Sequence, residues 1–328
     1  MTDFQSHATP DPAALPQRGH LMTEQRLAAS AAIDAQPIEQ ALQVINTQDA
    51  TVAPAVRKAI PAISALVAAV VERMQRGGRL VYGGAGTSGR LAVLDASECP
   101  PTFHCDPSQV VGLIAGGDGA LRNSIEGAED SPEQGAAALR EVGLTADDVF
   151  VGIAAGGTTP WVWGALRHAK DVGAVTAMMC CVPLSGLFPL VPGQPQRKPP
   201  MEVDHAIELL VGPEIVTGST RMKAGTATKL ALNMITTTTM IQLGKVWGNL
   251  MIDLKASNAK LVDRALRIIE TQCRIDRDKA LELLEQADGR VKLALVMGRR
   301  DVDRAEALRL LAAAGERLRP VIGEPYTS

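Results

Sequence analysis

The sequence predicts an α/β fold: a parallel sheet flanked by helices, followed by a small C-terminal all-helical domain. Three observations predict it. Short continuous apolar runs alternate with segments whose apolar residues recur at helical spacing, the pattern of βαβ units whose strands are covered on both faces. Two of those runs open into glycine-rich loops that begin a helix. Beyond residue 274 the apolar runs stop and short charged helical segments take over.

Taken in order, the first twenty residues, MTDFQSHATPDPAALPQRGH, carry Pro, Asp and His where a secretory leader would carry a basic head and an apolar middle. Residues 1–22 are therefore expected to form a disordered tail. Over 37–76 the apolar residues Ile38, Leu42, Ile45, Ile60, Ile63, Leu66 and Val70 fall at helical intervals, predicting two helices. RLVYGG then reads as a buried strand, GRLAVLDASE as a helix, QVVGLIAGG as a strand and ALRNSIEGAED as a helix. DVFVGIAAGG, PWVWGALRHAKDVG and AVTAMMCC continue the alternation as strand, helix and strand. The prolines of PLSGLFPLVPGQPQRKPP, residues 183–200, exclude a central strand or a helix interior and predict a loop. VDHAIELLVG predicts one more strand. Ser219 and Thr220 are placed to cap a long helix through RMKAGTATKLALNMITTTTMIQLG, whose four threonines are poor helix formers. The expected division is thus a tail at 1–22, one α/β domain over 23–273 including the N-terminal helices, and a helical domain over 274–328.

Composition narrows the function classes. A chain of 328 residues with 46% hydrophobic and 21% charged residues has ordinary globular make-up. Its net charge of −3 supplies no basic field and its 3% aromatic content few stacking platforms. Nucleic acid and anionic membrane surfaces are therefore poor partners. The five cysteines form no C-x-x-C pair and no metal-ligand spacing with the five histidines, so reduced thiols, a cytoplasmic location and no metal are expected. No run reaches the roughly 18 apolar residues of a membrane span.

The first glycine loop, VYGGAGTSGRLAVLDASECPPTF, holds Gly84, Gly86 and Gly89 in a G-x-G-x-x-G pattern. A dinucleotide site also needs an acidic residue at the end of the second strand to hold the ribose. That strand instead ends in Ala115-Gly116-Gly117, with Asp118 late, so the fingerprint is incomplete. Gly86, Thr87, Ser88 and Gly89 place hydroxyls and free backbone N–H groups at a helix N-terminus, a setting for the phosphate of a small ligand. The other reading is a tight strand-to-helix turn and nothing more. A second loop, Ala155-Gly156-Gly157-Thr158-Thr159-Pro160, also follows a strand and opens a helix, so both loops can face one crevice. Two carboxylate pairs follow the first loop at helical spacing, Asp95 with Glu98 and Glu126 with Glu129. The apolar text around ASECPPTF predicts that Glu98 is partly buried, with its pKa raised by desolvation.

The segments GAGTSGRLAVLDASECPPTF, GLIAGG, IEGAEDS and VGPEIVTGSTRMKAGTATKLALNMI together resemble the N-acetylmuramic acid 6-phosphate etherases, which have a sugar isomerase (SIS) fold. The resemblance implies cleavage of the D-lactyl ether of that sugar phosphate, to N-acetylglucosamine 6-phosphate and D-lactate, in cell-wall recycling. It implies no cofactor, and catalytic glutamates at Glu98 and Glu129. It also implies a homodimer with sites shared between subunits. The sequence departs from the family's usual text at the second loop, where Gly156 and Thr158 replace a serine and an arginine, and at Val182. The alternatives are a sugar-phosphate-binding regulator without turnover, similar to the glucokinase regulatory protein, and an aldose–ketose isomerase.

Overall fold

The computed structural model describes residues 18–187, 201–254 and 259–326. Most of the expected N-terminal tail and of the Pro-rich segment lies outside those residues. The expected tail ends too late, however. Leu21 is buried among Val81, Ala115 and Leu187, because the chain needs an apolar cover there.

Three helices come first where two were expected: α1 (Ile38–Asp49), α2 (Val52–Lys58) and α3 (Ile60–Gln75). Pro54 and Pro61 explain the extra break, since each sits in the first turn of a new helix, where a missing N–H costs no helical bond. The alternating part then runs β1 (Leu80–Gly84), α4 (Gly86–Phe103), β2 (Val110–Ile114), α5 (Gly119–Arg122), α6 (Pro132–Glu141), β3 (Val149–Ile153), α7 (Pro160–Asp171), β4 (Val175–Cys180) and β5 (His205–Glu208). All five strands are parallel, in the order β2-β1-β3-β4-β5. Successive residues of each strand feed opposite cores. Leu80, Tyr82, Val149, Val151 and Met179 pack with α2, α3, α4 and the long α8 (Lys223–Gln242). Val81, Phe150 and Met178 pack with α6 and α7.

Helix α8 keeps its form through all four threonines. Thr236 and Thr239 are buried, and Thr236 Oγ1 lies within hydrogen-bond distance of both Leu232 O and Asp95 of α4, so tertiary packing overrides their low propensity. A two-stranded hairpin, β6 (Val246–Trp247) with β7 (Leu250–Met251), leads to α9 (Ala259–Cys273), α10 (Arg277–Gln286), α11 (Val291–Arg300), α12 (Arg304–Ala313) and the short α13 (Arg319–Ile322). The helical unit does not begin at 274 as expected. Trp247, Ile252, Leu254 and the α9 residues Ala265, Leu266 and Ile269 share one core with α10, α11 and α12. Its apolar surface therefore starts with the hairpin. No single described helix is long and apolar enough to cross a membrane.

Candidate active site

Strand β1 pairs with β2 on one side and β3 on the other, so the connections leave the sheet in opposite directions from adjacent strand ends. Crevices form at such a reversal. Gly84 is in register with Ile153, so the two glycine loops leave adjacent strand ends, yet no residue of the second loop lines the cavity beside the first.

The first loop turns at Gly86, whose φ is +53°. Gly89 closes the turn: a Cβ there would lie 2.5 Å from Gly84 O and 2.6 Å from Ile114 Cγ1, so this glycine serves helix–strand contact. Ser88 and Gly89 are buried. Half-buried Thr87 lies against the first turn of α8, its Cγ2 3.3 Å from where a Cβ on Gly225 would sit.

Beside Gly86 opens a cavity of about 350 Å³, lined among others by Ala85, Arg90, Glu126, Glu129 and Asp130. The two glutamates reach it from an irregular loop and not from the helix expected over 120–130. Helix α5 stops at Arg122, and Gly127 takes a φ of +72° that continues no helix. Glu126 and Glu129 are exposed and share the cavity.

Glu98 is not brought to them. It lies on α4 twelve residues beyond Gly86, about 18 Å along the axis at 1.5 Å per residue. The expectation of a partly buried Glu98 is also wrong: it is exposed, and Asp95 is the buried carboxylate, 7% exposed. Helical phase explains the exchange. Ser88, Ala92, Asp95, Ala96, Cys99 and Phe103 form the inner face of α4, and position 98 falls outside it.

Asp95 Oδ1 accepts from Asn233 Nδ2 at 2.8 Å and Thr236 Oγ1 at 3.2 Å, tying α4 to α8, while Oδ2 is buried with no partner among the described residues. Burial lifts this carboxyl above its ordinary value, against the bonds from Asn233 and Thr236. Burial, with the Asp95 charge, also pushes the enclosed Tyr82 hydroxyl well up. The native state therefore binds a proton more readily than the unfolded chain, and the buried charge costs stability above the raised pKa, a cost relieved as pH falls through it. Asp95→Asn removes the charge at every pH and keeps an acceptor for Asn233 and Thr236. It is expected to melt above the parent at about pH 7.5 and to lose that advantage toward about pH 4. Melting curves across that range check this; an advantage independent of pH would contradict it.

The second loop divides its predicted residues. Thr158 lines a different groove, of about 590 Å³, between α6 and α7 with Arg140 and Trp163, and Thr159 precedes α7 without a side-chain cap bond. Gly157 has φ +71° and a Cβ there would meet Leu187 Cδ2 at 2.5 Å. At Gly156, φ is not in the left-handed region, and an added Cβ would meet Thr23 Oγ1 at an ordinary 3.6 Å. Gly157→Ala is thus expected to cost about 1–3 kcal/mol through strain and overlap. Gly156→Ser is expected to change stability by less than about 0.5 kcal/mol and to lower the KM for a phosphorylated substrate by supplying a hydroxyl. Melting and steady-state kinetics on the two variants test the division, and equal destabilisation would refute it.

Two functional supports escaped sequence reasoning. Glu214, fully buried, accepts from the backbone N–H groups of Lys223 and Ala224, both at 2.9 Å, and so caps α8 in place of Ser219 and Thr220. It lies nine positions before the first residue of the helix, beyond any local capping pattern. Arg90 is the other. Among the described residues no cluster of His, Cys, Asp and Glu could hold a metal ion. The five cysteines are free, and burial pushes the Cys99 and Cys180 thiols up to about 12, away from nucleophilic use.

A family model described as the N-terminal SIS domain of the glucokinase regulatory protein matches residues 62–170. That span holds both glycine loops and strands β1 to β3 of the parallel sheet. An N-acetylmuramic acid 6-phosphate etherase from Gloeobacter violaceus is 50% identical over 301 residues, 92% of this chain and 94% of the relative. One from Streptomyces coelicolor is 49% identical, over 91% and 92% of the two chains. The chain belongs to the N-acetylmuramic acid 6-phosphate etherase family. Among solved structures, a phosphoheptose isomerase from Neisseria gonorrhoeae superposes with TM-score 0.44 at 16% identity, covering 62% of this chain and 98% of that one.

Proposed function

We propose that this chain cleaves the D-lactyl ether of N-acetylmuramic acid 6-phosphate, giving N-acetylglucosamine 6-phosphate and D-lactate. The observation that carries the reading is identity of about half the residues to etherases over nearly the whole chain, joined to a carboxylate-lined cavity beside the first glycine loop. An alkyl ether is hard to hydrolyse directly because its alkoxide leaves poorly. In the ring-opened sugar the C2 proton is acidic, being next to an aldehyde. A carboxylate that removes it lets the C3–O bond break as an acid protonates the departing lactyl oxygen, and water then adds across the double bond. One ionised and one protonated carboxyl group suffice. Glu129 is the C2 base, Glu98 the acid to the ether oxygen, and Gly86, Thr87 and Ser88 at the N-terminus of α4 form the phosphate side.

Glu98 lies outside the cavity of its own chain, so the reading includes a homodimer in which each subunit lends Glu98 to the other's site. Exposed apolar side chains support this: Leu94, one turn before Glu98, Met234 and Ile241 on α8, and Ile38 and Leu42 on α1 are all open on the single chain. Closed two-fold dimers bury such faces. Free D-lactate released from N-acetylmuramic acid 6-phosphate tests the activity, and a sugar phosphate bound without lactate release would favour the regulator instead. Mixing and reassembling Glu98→Gln and Glu129→Gln tests the sharing. Half the dimers are then mixed and carry one intact site each, restoring about a quarter of parental activity if sites are shared across a two-fold interface. Two inactive variants that stay inactive when mixed would place Glu98 within its own subunit's site.

A further inference from the structure

We propose that Arg90 is a positioning residue that fixes the loop carrying Glu126 and Glu129, an inference that rests on reading Glu129 as the C2 base. Arg90 stands in the second turn of α4 and lines the cavity. Its Nε donates to Leu121 O at 3.0 Å, and its Nη2 to Ala120 O at 2.8 Å and Asn123 O at 3.4 Å. These carbonyls belong to the end of α5, where a helix leaves its acceptors unmet, and the flat two-donor edge of a guanidinium can serve several of them at once.

The chain then runs without regular structure from Asn123 to Ser131. At the far end, Glu129 O accepts from the backbone N–H of Trp161 in α7 at 3.0 Å, and Ser131 Oγ caps α6 by accepting from Gln134 N at 3.2 Å. Between the clamps the segment is exposed apart from half-buried Ala128. Its own hydrogen bonding among the described residues is one turn, Asp130 N to Gly127 O at 3.2 Å. A loop so little braced takes its geometry from its ends. Arg90 holds the entry from α4, the same helix whose N-terminus forms the glycine loop, so one element sets both the phosphate side and the carboxylate side of the cavity.

Lysine at position 90 keeps the charge but cannot hold two carbonyls in a fork. Arg90→Lys and Arg90→Ala are both expected to lower kcat about 10²-fold with KM within a few-fold of the parent, the effect of misplacing a catalytic group. Exchange of the substrate C2 proton with deuterated water should fall in parallel. Added guanidinium should restore part of the Arg90→Ala activity. Amide hydrogen exchange should quicken at Asn123 and Asp130, whose N–H groups are bonded to Gly119 O and Gly127 O, while the sheet amides stay protected. This last readout does not depend on the role of Glu129. If Glu129→Gln exchanges the C2 proton normally, the base is misassigned; if amide exchange at Asn123 and Asp130 is unchanged in folded Arg90→Ala, the clamp itself is wrong. A KM rise with kcat retained would make Arg90 a substrate-binding group and overturn the proposal.

Discussion

Glu129→Gln is expected to abolish both lactate release and exchange of the C2 proton with deuterated water, because glutamine keeps the size of the side chain but takes no proton. Loss of a general acid or base typically costs about 10²–10⁴-fold in rate, enough to read in a simple assay. Glu98→Gln should also stop lactate release yet leave slow C2 exchange, since the carbon-acid step precedes departure of the lactyl group. Glu126 faces the same cavity from the same loop as Glu129 and is the rival base. Exchange that stops in Glu126→Gln alone would move the role to it. Normal exchange in Glu129→Gln with none in Glu98→Gln would reverse the two assignments. Because Glu126 and Glu129 are exposed loop residues, none of these effects should be accompanied by a large fall in melting temperature.

Glu214→Ala should give the largest stability loss. The carboxylate is fully buried, and its two oxygens each accept one backbone N–H at the start of the 20-residue α8. It therefore meets two of the four donors that a helix leaves open and opposes the positive end of the dipole. Buried Lys223, whose Nζ donates to Val211 O at 2.9 Å and Gln48 Oε1 at 3.3 Å, would lose its compensating charge. Removing one partner of such a buried charged group costs about 3–5 kcal/mol. Glu214→Gln retains one acceptor but turns an N–H₂ toward a donor, and should cost about 1–3 kcal/mol. Urea denaturation of the three proteins measures this, and a loss within about 0.5 kcal/mol for Glu214→Ala would show that water replaces the cap freely. Thr87 rests on the first turn of α8, so catalytic efficiency should fall with the cap.

The parallel sheet, the glycine turns that open helices, and the family were legible in the sequence because each is written locally. Strands covered on both faces are continuous apolar runs, a strand-to-helix turn needs glycine, and GAGTSGRLAVLDASECPP is long enough to be specific. Burial of one carboxylate rather than its neighbour was not legible. Asp95 and Glu98 are both acidic and three residues apart, and only the phase of α4 against α8 sends the first inward to Asn233 and Thr236. The loop form of 123–131 was hidden for a similar reason: its text allows a helix, but Arg90 and the Trp161 N–H take the carbonyls of Asn123 and Glu129 from outside. Glu214 reaches α8 through space across nine residues. Local pattern alone specified the five parallel strands along the chain and the helices that follow the two glycine loops. Tertiary structure decided which side chains each element turns inward, which distant groups satisfy its ends, and that Glu98 and Glu129 do not meet within one chain.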